Sequence, residues 1–255
     1  DRLWGAQTER SRRNFRISDE RMPRELIQAL VLVKKACALV NRDLGRLDEA
    51  KADAIVRAAE EVLAGEHSDE FPLLVWQTGS GTQTNMNVNE VLANRGSELL
   101  GGERGAKRRL HPNDDVNRGQ SSNDVFPTAM HVAAVESTRA HLLPAVEALR
   151  DGLAAKATSF ADIVKIGRTH LMDATPIRVG QVFGGYAAQI TRSCAAIDRA
   201  VLEISYNMPI GGTAVGTGIN THREFGERAC AALTRKLGCT FEEAKNHPAA
   251  QAAKD

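Results

Sequence analysis

Four stretches of this 255-residue chain gather glycine and small polar side chains at places where chemistry could be done. The most suggestive reads Gly167-Arg168-Thr169-His170-Leu171-Met172-Asp173-Ala174-Thr175-Pro176. A histidine in a loop between an extended piece and a long helix is a natural acid or base, because imidazole titrates near neutral pH. A loop histidine serves equally as an ordinary structural or exposed residue. Gly79-Ser80-Gly81-Thr82-Gln83-Thr84-Asn85-Met86-Asn87 combines two glycines with hydroxyls and amides. Glycine lets the backbone approach a ligand closely, and neutral donors suit a small carboxylate better than a nucleotide. No Gly-Lys-Ser/Thr ending follows, which excludes a P-loop. A Gly/Ser turn with a helix cap accounts for the same residues.

Ser121-Ser122-Asn123-Asp124 precedes a helix, so capping is its first use. The side chains beyond the one that caps are free to hold a carboxylate, or an oxyanion formed during a reaction. Between Arg104 and Asn117, Arg104, Lys107, Arg108 and Arg109 precede His111-Pro112-Asn113-Asp114-Asp115. The basic run would draw anions toward a mouth or form a solvated face. Neighbouring aspartates would favour the cation of His111, or fold the loop through Asx-turns. Gly211 to Gly218 is a flexible turn that chain reversal alone explains.

Composition narrows the classes. Thirty-three basic against 32 acidic residues give a charge of +1, unlike a protein built to neutralise nucleic-acid phosphates or an anionic membrane. No apolar run approaches the ~18 residues of a membrane span. Asp1-Arg2-Leu3-Trp4-Gly5 does not resemble a signal peptide, and the lack of an initiator Met suggests a processed or cut chain. Cys37, Cys194, Cys230 and Cys239 form no Cys-x-x-Cys pair, and the seven histidines form no His-x-x-x-His. Free buried thiols, no structural metal and a soluble cytoplasmic protein are expected.

Helices must position these loops. Leu26, Leu30, Val33, Cys37, Val40 and Leu44 mark one face of a helix opened by Pro23 and closed by Gly45. Asp48 is the cap of a second helix running to Gly65. A third is predicted from Val88 to Leu100, and a fourth begins near Asn123 to Pro127 and is kinked or divided at Pro144. Val179, Phe183, Tyr186, Ile190, Cys194, Ile197, Val201 and Ile204 predict one long bundle helix. Thr221-His222-Arg223-Glu224 reads as a capping box for a last helix ending at Gly238. Strand candidates are few, Ile163 to Ile166 being one short extended piece, so the fold is mainly α.

Together these segments, with His111 to Asn117 and Gln120 to Thr128, resemble class II fumarase, a family of the fumarase/aspartase superfamily. Asp1 to Ser11 resembles the start of that family, and Gly211 to His222 its GGTAVGTGxNTH stretch. Aspartases have Gln in place of His170 and Ser-Thr-Asn-Asp in place of Ser121 to Asp124. The implied fold is fumarase/aspartase-like. An N-terminal helical domain over residues 1–120 carries the binding loops, and 121–255 forms the first, incomplete part of a long-helix central bundle.

The resemblance implies reversible hydration of fumarate to (S)-malate through an aci-carboxylate, without metal or organic cofactor. It assigns Ser80, Gly81, Thr82, Ser121, Ser122, Asn123 and Thr169 to the dicarboxylate, and makes His170 the catalytic acid/base. Arg108, His111, Asn113 and Asp114 match a second dicarboxylate site. The expected partners are fumarate, malate and three further copies in a homotetramer, with no nucleic acid or membrane. The family's proton-abstracting serine lies on a Gly-Ser-Ser-x-Met-Pro-x-Lys-x-Asn-Pro loop that occurs nowhere in these 255 residues. The resemblance places it, and the glutamate paired with the histidine, beyond Asp255. Two alternatives stay open: a related lyase such as aspartase, and a non-catalytic truncated homologue that binds dicarboxylates.

Overall fold

A computed structural model describes residues 2–252. Two compact units emerge: one runs to Ala133 and resumes at Ile204, and the other is Ala134–Glu203.

In the first unit α1 (Ala6–Asn14), α2 (Arg24–Asp43), α3 (Glu49–Leu63), α4 (Thr82–Leu99) and the start of α5 (Ser122–Ser137) precede α8 (Phe225–Leu237) and α9 (His247–Ala252). α2 is the spine. It packs on α3, α4 and α8, and Leu30, Val31, Val33, Cys37 and Val40 are all buried. Burial on most sides fits its nearly unbroken apolar run. Asp48 caps α3 by accepting the Lys51 N–H at 3.1 Å, and Gly45 and Gly238 take the left-handed conformation that ends α2 and α8.

Two boundaries differ from the sequence expectation. α4 begins at Thr82, not Val88, because its first turns bury amides instead of hydrocarbon: Asn85, Asn87, Asn89 and Glu90 are at most 3% exposed. Glu90 in turn accepts the N–H groups of Gly5, Gln7 and Thr8 at 2.9, 2.9 and 3.0 Å, which caps α1 from a neighbouring helix. α8 begins at Phe225, so Thr221 opens no capping box. Glu224 pairs forward with Arg228, and the turn is closed by the Phe225 N–H on the His222 carbonyl at 3.0 Å.

In the second unit α5 widens into an i→i+5 turn at Thr138–Leu142 and continues as α6 (Leu143–Ser159), with Pro144 in the first turn. Proline cannot supply the N–H that a straight helix would need there, so the chain divides at the expected residue. A two-stranded antiparallel hairpin follows, β1 (Val164–Thr169) and β2 (Met172–Arg178), where only a short extended piece and a loop were expected. α7 (Val179–Ser205) has 27 residues and spans about 40 Å. It meets α6 closely, since a side chain at Gly180 would lie 2.5 Å from the Ala157 carbonyl oxygen. Phe160 and Phe183 stack edge-on at 5.7 Å.

Cys37, Cys194 and Cys230 are buried and Cys239 half-buried, and none of the four is in a disulfide. Burial pushes Cys37 up to about 12, so it is inert at neutral pH. Among the described residues, no helix is long and apolar enough to cross a membrane.

Candidate functional site

The first unit brings together the starts of α4 and α5. Gly81, the residue before α4, has φ +73°, and a side chain there would sit 2.4 Å from the Phe126 ring of α5. Its hydrogen atom permits both the left-handed turn and the approach of the two helices. Around it Ser80 Oγ lies 3.0 Å from Thr82 Oγ1 and 3.4 Å from Thr78 Oγ1. Gln77 Oε1 accepts from both the backbone and hydroxyl of Thr84 at 3.0 Å, which anchors the turn. Thr82 also faces a small cavity of about 90 Å³ shared with Gln7, Arg10 and Ser11 of α1.

At the start of α5, Ser121 is the cap. Its hydroxyl accepts the Asn123 N–H at 3.3 Å, and Asp124 reaches back to the Ser121 N–H at 2.8 Å. Asp124 is buried and also accepts from Thr213 N–H at 2.8 Å and Gly211 N–H at 3.3 Å. Burial raises its carboxyl to about 6, against the lowering effect of those amides. Asn123 donates to the Ala214 carbonyl at 2.8 Å. The Gly211–Gly218 turn is therefore tied to the cap, beyond simply reversing the chain. Ser122 Oγ accepts from Asn85 Nδ2 of α4 at 3.0 Å, so the two motifs are bonded directly.

Behind this junction lies a buried polar cluster that the sequence reading did not single out. Lys34 of α2 is fully buried, and its ammonium donates to Asn117 Oδ1 at 2.5 Å and Gln120 Oε1 at 2.9 Å. Asn85 and Asn89 each place Nδ2 3.3 Å from the same Asn117 oxygen. Burial brings Lys34 down to about 7, while the nearby Cys37 and Asp124 act weakly the other way. The signal was present: Lys34 stands four residues after Leu30 and three before Cys37, on the apolar face of α2.

Thr169 and His170 belong to the second unit. Thr169 ends β1, and His170 and Leu171 form the two-residue tip of the hairpin, with φ +51° and +64°. Both are exposed. A bulge between Ile166 and Arg168 brings the Thr175 carbonyl against Gly167, where a side chain would lie 2.5 Å from it.

The remaining candidates cluster on Pro112–Val116, a single wide turn. His111 Nδ1 accepts the Asp114 N–H at 3.1 Å and lies 3.1 Å from its carboxylate, while Asn113 is exposed beside them. Asp115 is committed elsewhere: it holds the His111 N–H at 2.7 Å and the Lys51 ammonium at 2.9 Å. Arg108 is half-buried just before this turn. Of the basic run, Arg104 pairs with Glu98 and Arg109 donates to the Leu100 carbonyl at 2.6 Å. Among the described residues, Glu61, Glu66 and His67 bring possible metal-ligand atoms within 4.8 Å of one another. Arg95 already neutralises Glu61, at 2.6 and 2.8 Å.

Known proteins resemble this chain in sequence and fold. A class II fumarate hydratase of Nitrosomonas europaea is 62% identical over 253 residues, covering 99% of this chain and 54% of that protein. One from Myxococcus xanthus is 60% identical over 255 residues, again 54% of its length. The chain thus spans about half the length of the curated relatives it matches. Among solved structures, class II fumarase from Schistosoma mansoni superimposes with a TM-score of 0.95 at 43% identity, covering 98% of this chain and 56% of that one. A fumarate lyase:delta crystallin from Brucella melitensis gives 0.93 at 40% identity, covering 98% and 55%. A family model described as Lyase matches residues 1–255, so the chain belongs to the lyase family, and its resemblance to the class II fumarases holds along its whole length.

Proposed function

We propose that the protein carrying this chain catalyses the reversible hydration of fumarate to (S)-malate, as a homotetramer in the cytoplasm serving the tricarboxylic acid cycle. The observation that carries this reading is the junction at Gly81 and Phe126, where two helix starts that bear the neutral side chains Ser80, Thr82, Ser121, Ser122 and Asn123 adjoin. Such a surface matches a small carboxylate. Proton removal next to that carboxylate pushes charge onto its oxygens, and donors already aimed there gain most as the charge grows. In this reading Ser80, Gly81, Thr82, Ser121, Ser122, Asn123 and Thr169 bind the dicarboxylate, and His170 exchanges a proton with the hydroxyl or water. Arg108, His111, Asn113 and Asp114 form a second dicarboxylate site. The domain division falls near residue 120, and the proton-abstracting serine comes from outside these 255 residues.

The test is His170→Asn in the protein carrying this chain. Turnover of fumarate should fall by about 10²–10⁴-fold. The melting temperature should not fall, since the side chain is exposed at a hairpin tip. Near-normal turnover by the folded variant would remove His170 from the mechanism. Fumarate consumed with ammonia and not with water would make the enzyme an aspartase instead. The absence of a Gly-Ser-Ser-x-Met-Pro loop favours a second reading for the isolated 255 residues, binding without turnover. Calorimetry with fumarate, run beside an activity assay on the isolated chain, separates the two.

A further inference from the structure

Lys34 sits fully buried in α2, and its ammonium meets only two amide oxygens, Asn117 Oδ1 and Gln120 Oε1, among the described residues. A buried ammonium without a bonded counter-ion is costly, so packing alone is a poor reason for its presence. An ammonium donates and never accepts. It therefore compels Asn117 to turn its oxygen inward, while Asn117 Nδ2 donates to the Gln120 carbonyl at 3.1 Å. Asn85 and Asn89 must then face that oxygen with their own NH2 groups, and their Oδ1 atoms are left buried without partners. Reversing Asn85 would set oxygen against oxygen. The second N–H of Asn85 ends on Ser122 Oγ at 3.0 Å. With that oxygen already accepting, the hydroxyl proton is free to point away from the cluster.

We infer that Lys34 is a positioning residue. Through Asn117 and Asn85 it sets the direction of the hydrogen bonds that end at Ser122, so that this hydroxyl meets a substrate carboxylate as a donor. Its buried charge also favours a dianion at that helix start. The inference rests on the proposed role of Ser122 as a dicarboxylate ligand. Lys34 is held near pH 7 by burial, facing Cys37 on its own helix and Asp124 on α5, so its charge is poised to respond to an arriving anion.

Coupling of this kind is reciprocal: if the charge favours the dianion, the bound dianion must raise the lysine's pKa. The experiment uses the protein carrying this chain, labelled with ¹⁵N-lysine. The Lys34 Nζ signal is titrated with pH, with and without saturating succinate, an unreactive dicarboxylate. Succinate should move the Lys34 midpoint up by about one pH unit, equivalent to about tenfold in affinity. Calorimetry supplies a second arm. Lys34→Met should weaken succinate binding about tenfold, but by no more than about threefold when Ser122 is already alanine. An unmoved Lys34 midpoint, or the same loss in both backgrounds, would show that Lys34 only fills space. If Lys34→Met fails to fold, the titration of the unsubstituted protein decides alone. Failure of that protein to bind succinate at all would overturn the dicarboxylate reading itself, and this inference with it.

Discussion

Gly81 shows how a residue read for one purpose serves another. Its sequence context suggests a backbone that a ligand can approach, yet the close neighbour in the structure is the chain's own Phe126. Gly79, two residues earlier, has nothing within 4 Å of where a side chain would begin. The pair of glycines is thus one requirement and one open position. Gly81→Ala must place a methyl group on the aromatic ring and hold a left-handed φ. We expect it to destabilise the fold by about 2–4 kcal/mol, measurable by urea denaturation, while Gly79→Ala stays within about 1 kcal/mol. Lys34 carries a related lesson. A charged residue on an apolar helix face was visible in the sequence, but its two amide partners, Asn117 and Gln120, come from a distant segment, and only folding reveals that Asn85 and Asn89 share the Asn117 oxygen with it.

At the level of elements, what the sequence made legible was what hydrocarbon spacing encodes. α2 and α3 bury their apolar stripes, α7 leaves most of its own half-buried, and all three end close to the expected residues, Gly45, Gly65 and Ile204. The first turns of α4 were not legible, because their buried face is made of asparagines whose value depends on α2 and the segment before α5. The hairpin was missed for a different reason. A two-residue turn with positive φ at both positions normally announces itself as Asn-Gly or Asp-Gly, and here the residues are His170 and Leu171. Elements are also joined by charge. Glu61 of α3 takes two hydrogen bonds from Arg95 of α4, and that guanidinium, with a smaller contribution from His67, outweighs burial and holds Glu61 at about 2. A carboxyl depressed in the folded state stabilises above its unfolded pKa of about 4.5 and loses that contribution as pH falls toward about 2. Because the pair is partly exposed, the contribution should be about 1–2 kcal/mol. Denaturation curves between pH 7 and 2.5 should show Glu61→Gln less stable at neutral pH and converging with the unsubstituted protein in acid.

For the molecule as a whole, the second unit leaves apolar groups uncovered. Leu149 is 53% exposed and Tyr186 49%, on the two long helices of that unit. Exposed apolar residues on long bundle helices are suited to association, and the proposed tetramer would cover them. Leu149→Glu combined with Tyr186→Glu should therefore convert the assembly to smaller species in analytical ultracentrifugation; an unchanged sedimentation coefficient would place the interface elsewhere. Whole-molecule stability also bears on the hairpin tip. His170 and Leu171 hold a turn geometry that asparagine and glycine adopt with less strain, so the sequence at 170–171 is not the one that the turn itself would choose. Any campaign that selects this protein for heat resistance should therefore accumulate Asn or Gly at these two positions. Winners substituted at 170 would have discarded the imidazole, so on the proposed role of His170 a screen scored on survival alone would enrich variants without turnover.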